Sequence, residues 1–401
     1  LLAGHGLGCI SISLLISCSP PPAASSAYIQ WQGKAFGTSY SVLIGTTDFE
    51  RQQKDRPFIK NLIETEIRRL DLIFSNWNQA SEISSVNNSR PLTPVAVSAD
   101  FLTVWQQSFS LYQSSQGAFD PASAAIFDAW GFGQHSSHQA IHQLSQDMLP
   151  DASVLKRLQK LSGMRQYIVQ PNLILRKNDR VILNFSANAK GFLVDQIFQV
   201  LARHGYQHTM VEVGGEVRTG LYPRSAAERN TMPNGKKSAE VDHAPNRDAT
   251  TMARHKNSDR FWKIGIEEPV YQPERRLNFI ALLENQAMAT SGDYRNYFVI
   301  KENPQGRRYS HIIDPRTAEP RSNGVLSVSV IGPDCLQADA LATTLMLFEP
   351  REGIEFLQRY PEFKALIQYR RSDPQGLPYG PLLFASSPGI LQWLQSTKDI
   401  P

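Results

Sequence analysis

The chain has 401 residues, enough for one large domain or two ordinary ones and for a substantial core, with the apolar (41%) and charged (19%) fractions of a globular protein. Its formal charge of +4 is small for this length and no basic run interleaved with aromatics occurs, so composition gives no nucleic-acid or membrane-surface role. Three cysteines, Cys9, Cys18 and Cys335, show neither CxxC nor zinc spacing and argue against a disulfide framework.

In chain order, the first feature is the apolar run Leu7 to Ile16, too short to span a bilayer but of the length of a signal-peptide h-region. It ends in Leu15-Ile16-Ser17-Cys18, followed by a Ser/Pro/Ala-rich stretch, Ser19 to Ala27. The ending resembles the lipobox of bacterial lipoproteins, in which Cys18 would be lipidated and become the mature N-terminus. An ordinary cleaved signal, or an apolar start with no export role, is the alternative. The expected division is a signal with lipobox over 1–18, a tether over 19–30 and one domain over 31–395, held at the outer face of the inner membrane in the cell envelope.

Ala35 to Gly45 alternates as a strand after a Gly kink, and Phe58 to Phe74 draws an apolar stripe with Ile59, Leu62, Ile63, Ile67, Leu70 and Ile73, which predicts a helix. The polar SNWNQASEISSVNNS that follows reads as a loop, with Trp77 as a packed anchor or a ligand platform. Asp100 is placed as the cap of a helix over Phe101 to Gln113, and Asp120 before Pro121 is a helix-start signal. His135, His138 and His142 fall in a Ser/Gln-rich stretch without metal-site spacing and read as surface loop.

Arg180 to Phe185 reads as a short apolar strand, and SANAKG then opens a helix closed by Gly205 after His204. Strand, small-residue turn and helix N-terminus can together hold an anion on free backbone N–H groups. Thr209 to Arg218 reads as a strand or hairpin pair around Gly214-Gly215. From Leu221 to Asp259 large apolar residues nearly vanish, which predicts a solvated, disordered insertion; strands resume at Phe261 to Ile266 and Leu277 to Leu283.

Ala287 to Leu347 is the densest stretch in chemistry. Gly332 and Pro333 end an alternating strand, Val325 to Ile331, and Asp334 with Gln337 three residues on forms a capping-box pattern. The helix Cys335 to Phe348 is apolar on almost every side and should be buried. Asp339 and Thr343, at i and i+4, break that pattern and put a carboxylate and a hydroxyl into an apolar wall. Either Asp339 pairs with an Arg from another element, or the two oxygens hold a hard cation such as Mg²⁺, whose shell substrate phosphates and water would complete. The alternation of strands and helices without a clean linker or internal repeat gives a mixed α+β architecture.

Eight segments occur in the order found in the ApbE family, the bacterial FAD:protein FMN transferases: GTSYSV, SEISSVN, FDPASAAIFDAWGFG, NFSANAKGFLVDQI, VEVGGEVRTG, ATSGDYRNYF, YSHIIDPRTAEP and ADALATTLML. The chain resembles that family from Trp31 to Pro350, apart from the polar insertion. The resemblance implies a single α+β domain related to the T-fold. It also implies transfer of FMN from FAD to a Thr or Ser hydroxyl of an acceptor protein, release of AMP and a need for Mg²⁺. On the matching positions the metal would sit on Asp339, Thr343 and the backbone carbonyl of Ala187.

His311 matches the family's candidate base, for which imidazole suits because it titrates near working pH; a structural hydrogen-bonder in a turn is the alternative. FAD contacts carried over in the same way are Phe36, Trp77 and the Ala118, Phe119, Asp120 run. Asn184 and Lys190 follow around the SANAKG turn, then Ser291, Gly292, Asp293 and Ile313. Lys190 could meet a phosphate as a point charge or be a solvated helix lysine. Three positions depart from the family pattern: Phe36 for Met, Trp77 for Tyr and Asn184 for Asp. The amide of Asn184 keeps an acceptor but no charge, which lowers the expected affinity for FAD or metal. An FAD pyrophosphatase using water as acceptor, and a flavin-binding envelope lipoprotein without turnover, are the competing readings.

Overall fold

The computed structural model describes residues 27–46, 49–133, 143–223, 260–270, 275–294, 296–301, 303–373 and 378–397. Its centre is an eight-stranded sheet in which every neighbour is antiparallel and spatial order follows chain order. The strands are β1 (Ala27–Ala35), β2 (Thr38–Thr46), β3 (Thr209–Val213), β4 (Glu216–Thr219), β5 (Ala287–Gly292), β6 (Val325–Gly332), β7 (Lys364–Ser372) and β8 (Pro378–Ser386). The connection from β2 to β3 carries the helices α1 (Phe49–Phe74), α2 (Glu82–Asn88), α3 (Ala99–Ser114), α4 (Ala124–Ala129), α5 (Ala152–Leu161) and α6 (Ala189–Arg203). That from β6 to β7 carries α7 (Cys335–Leu345) and α8 (Pro350–Leu357). Antiparallel strand pair, helices, antiparallel strand pair thus occurs twice, a repeat of connection with no repeat in the sequence.

Two hairpins turn on two residues each. Ala35 pairs with Thr38 around Phe36-Gly37 (φ 50° and 75°), and Val213 with Glu216 around Gly214-Gly215 (φ 64° and 109°). Positive φ at both central positions matches the twist of the flanking strands.

Helices cover one face of the sheet, and a three-stranded sheet of Trp262–Glu267, Leu277–Leu283 and Leu394–Ser396 covers the other. Both faces being covered, β3 and β6 are buried along their whole length. Val211 and Val213 pack with Leu193, Val194 and Ile197 of α6, and Val328 and Val330 with Leu341 and Leu345 of α7. Met210 and Ile331 point the other way, onto Trp262 and Ile264. Full burial of such side chains contributes roughly 1.5–3 kcal/mol each. No helix among the described residues is long and apolar enough to cross a membrane.

Several local expectations are corrected. The strand β1 begins at Ala27, inside the stretch expected as tether. Helix α1 starts at Phe49 rather than at Phe58 and runs through Pro57. EISSVNN is the helix α2 rather than loop, capped by the Ser81 hydroxyl, which accepts from the Ser84 N–H at 3.1 Å. For α3 the cap is Ser98, accepting from the Phe101 N–H, while Asp100 sits in the first turn and pairs with Arg69. Asp120 caps nothing; α4 begins four residues later.

Residues 180–185 form no strand and join no ladder. The Leu183 N–H donates to the Asn87 amide oxygen (2.8 Å), and its carbonyl accepts from the amides of Asn76 (2.9 Å) and Asn87 (2.8 Å), so side chains do the work of a neighbouring strand. For α7 the cap holds, with Asp334 accepting from the Gln337 N–H at 2.8 Å, but the Gln337 amide bonds Gln107 instead of closing the box, and the helix ends at Leu345.

Candidate active site

Helices α6 and α7 touch at Gly191, where a Cβ would stand 2.3 Å from the Cys335 carbonyl oxygen and 2.9 Å from the Asp339 Cβ. The Asp195 carboxylate of α6 accepts from the N–H groups of Cys335 (2.8 Å) and Leu336 (2.9 Å), fixing the start of α7. This contact places the first turn of α6 against the middle of α7. A satellite cluster of Ile126, Trp130, Leu155, Phe298, Ile300 and Ile313 stands opposite. Between the two lies a cavity of about 490 Å³.

Its floor comes from four elements: Asp339 and Thr343 of α7, Lys190 of α6, Glu216 of β4 and Ser291 of β5. Asp339, 2% exposed, accepts from the Gly191 N–H at 3.0 Å and lies 3.8 Å from the Lys190 ammonium. That ammonium donates to Glu216 at 2.6 Å. Burial pushes the Asp339 carboxyl up to about 8; Lys190 opposes this and Glu216 adds to it. Burial alone would lower Lys190, but Asp339 and Glu216 overcome it and hold the ammonium above its usual range. Thr343 Oγ1 is 3.2 Å from Ser291 Oγ. The partner of Asp339 is therefore a lysine it shares, not an Arg, and two buried carboxylates face one ammonium. Among the described residues no cluster of three His, Cys, Asp or Glu could hold a metal. The donors here are a carboxyl, a hydroxyl and the Ala187 region of the SANAKG turn, an all-oxygen set that fits Mg²⁺ rather than a softer ion.

The opposite wall carries Phe119, Asp120, Phe127, Phe132, His311 and Ile313. Asp120 accepts from the N–H groups of Ala122 (3.0 Å) and Met164 (3.2 Å), and burial lifts its carboxyl to about 7. His311 Nδ1 is 3.1 Å from the Asn296 carbonyl oxygen, which also accepts from the His311 backbone N–H. A carbonyl only accepts, so Nδ1 carries the proton and Nε2 is the basic nitrogen. Burial, aided by Lys190 and opposed by the Asn296 bond, holds the imidazole below its usual pKa and hence neutral at pH 7. Asn184 spends its acceptor locally, on the Ser186 N–H (2.8 Å) and hydroxyl (2.5 Å).

The cavity thus gathers His311, Asp339, Thr343, Ala187, Lys190 and Asn184 with Ala118, Phe119, Asp120, Ser291, Gly292 and Ile313. Three expected contacts do not line it. Phe36 is half-buried against the main core in the β1–β2 turn. Trp77 is 66% exposed beyond the end of α1, although its neighbour Asn76 is in the wall. Asp293 follows β5, its N–H bonded to the Leu326 carbonyl at 3.1 Å. Cys18, the three loop histidines and most of the polar insertion lie outside the described residues. Sequence reasoning gave no role to Glu216, Asn296, Phe127 or Phe132. Only Glu216 left a signal, a carboxylate directly after the Gly214-Gly215 turn.

Comparison with known proteins bears on this site. The family model described as the ApbE family matches residues 36–229 and 246–367. A protein of Vibrio cholerae serotype O1 called FAD:protein FMN transferase is 30% identical over 350 residues, 86% of this chain and 87% of that protein. One of the same name from Haemophilus influenzae is 26% identical over 88% of this chain and 89% of its own. Among solved structures, the flavin transferase ApbE from Vibrio cholerae superposes with a TM-score of 0.68 at 24% identity, covering 92% of this chain and 99% of that one. The ApbE protein of Thermotoga maritima gives 0.66 at 22%, covering 92% and 100%. At these identities the structures establish the fold, an α+β domain of this type.

Proposed function

Because the chain belongs to the ApbE family, we propose that it is an FAD:protein FMN transferase, moving FMN from FAD to a Thr or Ser hydroxyl of an acceptor protein with release of AMP, and that it requires Mg²⁺. The observation that carries this reading is the joining, in one cavity, of a neutral imidazole with a free Nε2 to a floor of buried oxygens and one lysine.

The acceptor oxygen forms a bond to the phosphorus of the FMN half, and the bond from that phosphorus to the bridging oxygen breaks, its electron pair leaving on AMP. His311 Nε2 takes the acceptor proton, and the Nδ1–H bond to the Asn296 carbonyl holds the ring in the tautomer that can do so. Lys190, the only Lys or Arg among the described residues lining the cavity, suits a phosphate as a point charge. Asp339, Thr343 and the Ala187 carbonyl would hold Mg²⁺, which supplies charge neutralisation on the pyrophosphate as the bond breaks. Phe127 and Phe132 give the cavity an apolar wall that limits water as a competing acceptor.

Mass spectrometry of a Thr-bearing acceptor fragment incubated with this protein, FAD and Mg²⁺ tests the reading. The expected result is a gain of one FMN that EDTA abolishes. FMN and AMP released with no adduct on any acceptor would replace it with a pyrophosphatase. Anchoring at the outer face of the inner membrane through lipid on Cys18 belongs to the same proposal, on the sequence of the leader alone. Loss of membrane association in Cys18→Ala cells is the outcome it requires.

A further inference from the structure

Lys190 sits between two carboxylates and has chosen one. Its ammonium is 2.6 Å from Glu216 Oε1 and 3.8 Å from Asp339 Oδ2, so the short, charge-assisted bond goes to Glu216. The side chain of Glu216 is 3% exposed and that of Lys190 27%: the acceptor is fixed inside the fold and the ammonium reaches toward the open cavity. The β3–β4 hairpin fixes Glu216 in turn. Glu212 accepts from the Gly215 N–H at 2.8 Å, Val213 pairs with Glu216 across the ladder, and strand alternation sends Glu216 to the cavity while Val217 packs on the opposite face. A free lysine at this place would spread over many rotamers, or close on Asp339 and cover the oxygen offered to a cation. The bond to Glu216 prevents both.

We propose that Glu216 is a positioning residue for the transfer reaction: it draws the Lys190 ammonium off Asp339 and holds it where the phosphate undergoing displacement gains charge. The proposal rests on the transferase reading above. It assigns Glu216 no contact with substrate; the residue acts only through Lys190, and this sets it apart from a residue that shapes the hairpin.

The test is a double-mutant cycle of Glu216→Ala and Lys190→Met, with AMP release from FAD followed at saturating Mg²⁺ in the presence of the acceptor fragment. Glu216→Ala should lower kcat about 10–100-fold, the scale of a misplaced catalytic contact, with KM for FAD changed less than about threefold. Lys190→Met should lose a similar factor, and the double variant no more than Lys190→Met alone. Glu216→Gln, which keeps an oxygen acceptor at the same reach in a nearly isosteric side chain, should recover most of the loss and melt as the parent does. Losses that multiply in the double variant would overturn the proposal, as would a Glu216→Ala effect confined to KM or to melting temperature. A parent protein that releases no AMP from FAD would instead overturn the function on which it rests.

Discussion

His311 and Asp339 look into the same cavity, and burial drives both toward their neutral forms, one by lowering an imidazole and the other by lifting a carboxyl to about 8. For the base this is useful. The form that accepts a proton is the neutral one, so transfer should be flat at and above neutral pH. It should fall only as pH drops through the His311 pKa, which lies below the ordinary 6.5. The profile must be recorded at saturating Mg²⁺, because Asp339 has to ionise before it can take a cation. His311→Ala should cost about 10²–10⁴-fold in rate and remove the acid limb; an acid limb that persists in this variant would assign the base elsewhere. Of the residues that set this chemistry, Asp339 and Thr343 were legible in the sequence, since polar groups at i and i+4 stand out in an apolar helix. Asn296 was not, because it acts through a backbone carbonyl that no side-chain type announces. Phe36, Trp77 and Asp293 entered as FAD contacts through the resemblance, and none of them lines the cavity.

At the scale of elements, the site depends on how closely α6 and α7 approach. Gly191 sets that distance: an added methyl would meet the Cys335 carbonyl oxygen at 2.3 Å, and that oxygen is backbone and cannot rotate away. Gly191→Ala should therefore force the helices apart, costing about 1–3 kcal/mol as an overpacked core does. It should also weaken FMN transfer more than a merely destabilised protein would below its melting point, because the flanking Lys190 and the facing Asp339 separate. Thermal melting and initial rates on the same preparation check this; an unchanged melting temperature would mean that the helices slide freely. The apolar stripe of α1 and the all-round apolar run of α7 could be read from the sequence. Where polar side chains replace regular structure, spacing fails. Asn76 and Asn87 bond Leu183 in place of a neighbouring strand, and the polar run around Ser81 becomes helix because capping, not periodicity, decides it.

Across the whole molecule, sequence gave strands and helices in mixture but not their order in space, because pairing of β4 with β5 joins Arg218 to Ala287 across a long excursion. The layered result, helices on one face and a second sheet on the other, buries carboxylates that a single-layer protein would leave wet. Glu212 and Asp120 are lifted by burial to about 7, and Asp195 to about 6, each only partly restrained by the backbone N–H groups it accepts from. A carboxyl whose folded pKa exceeds its unfolded value near 4 binds more protons folded than unfolded. Its contribution is complete below about pH 4 and is lost as pH rises through the folded value. Asp339, lifted to about 8, and Asp334, also raised by burial, act in the same direction. His311, held low, pulls the other way only below 6.5, and these carboxyls outweigh one imidazole. The protein free of metal and FAD should therefore melt at a lower temperature at pH 8 than at pH 5, the decline running across the whole of that window, the reverse of a fold held by ionised surface pairs. Asp120→Asn, which removes one of these titrations while keeping an oxygen for the Ala122 and Met164 N–H groups, should flatten the decline. Melting curves at fixed ionic strength across that window decide the matter: a melting temperature that climbs from pH 5 to pH 8 would mean that these carboxylates are ionised in the fold and stabilised there by charge.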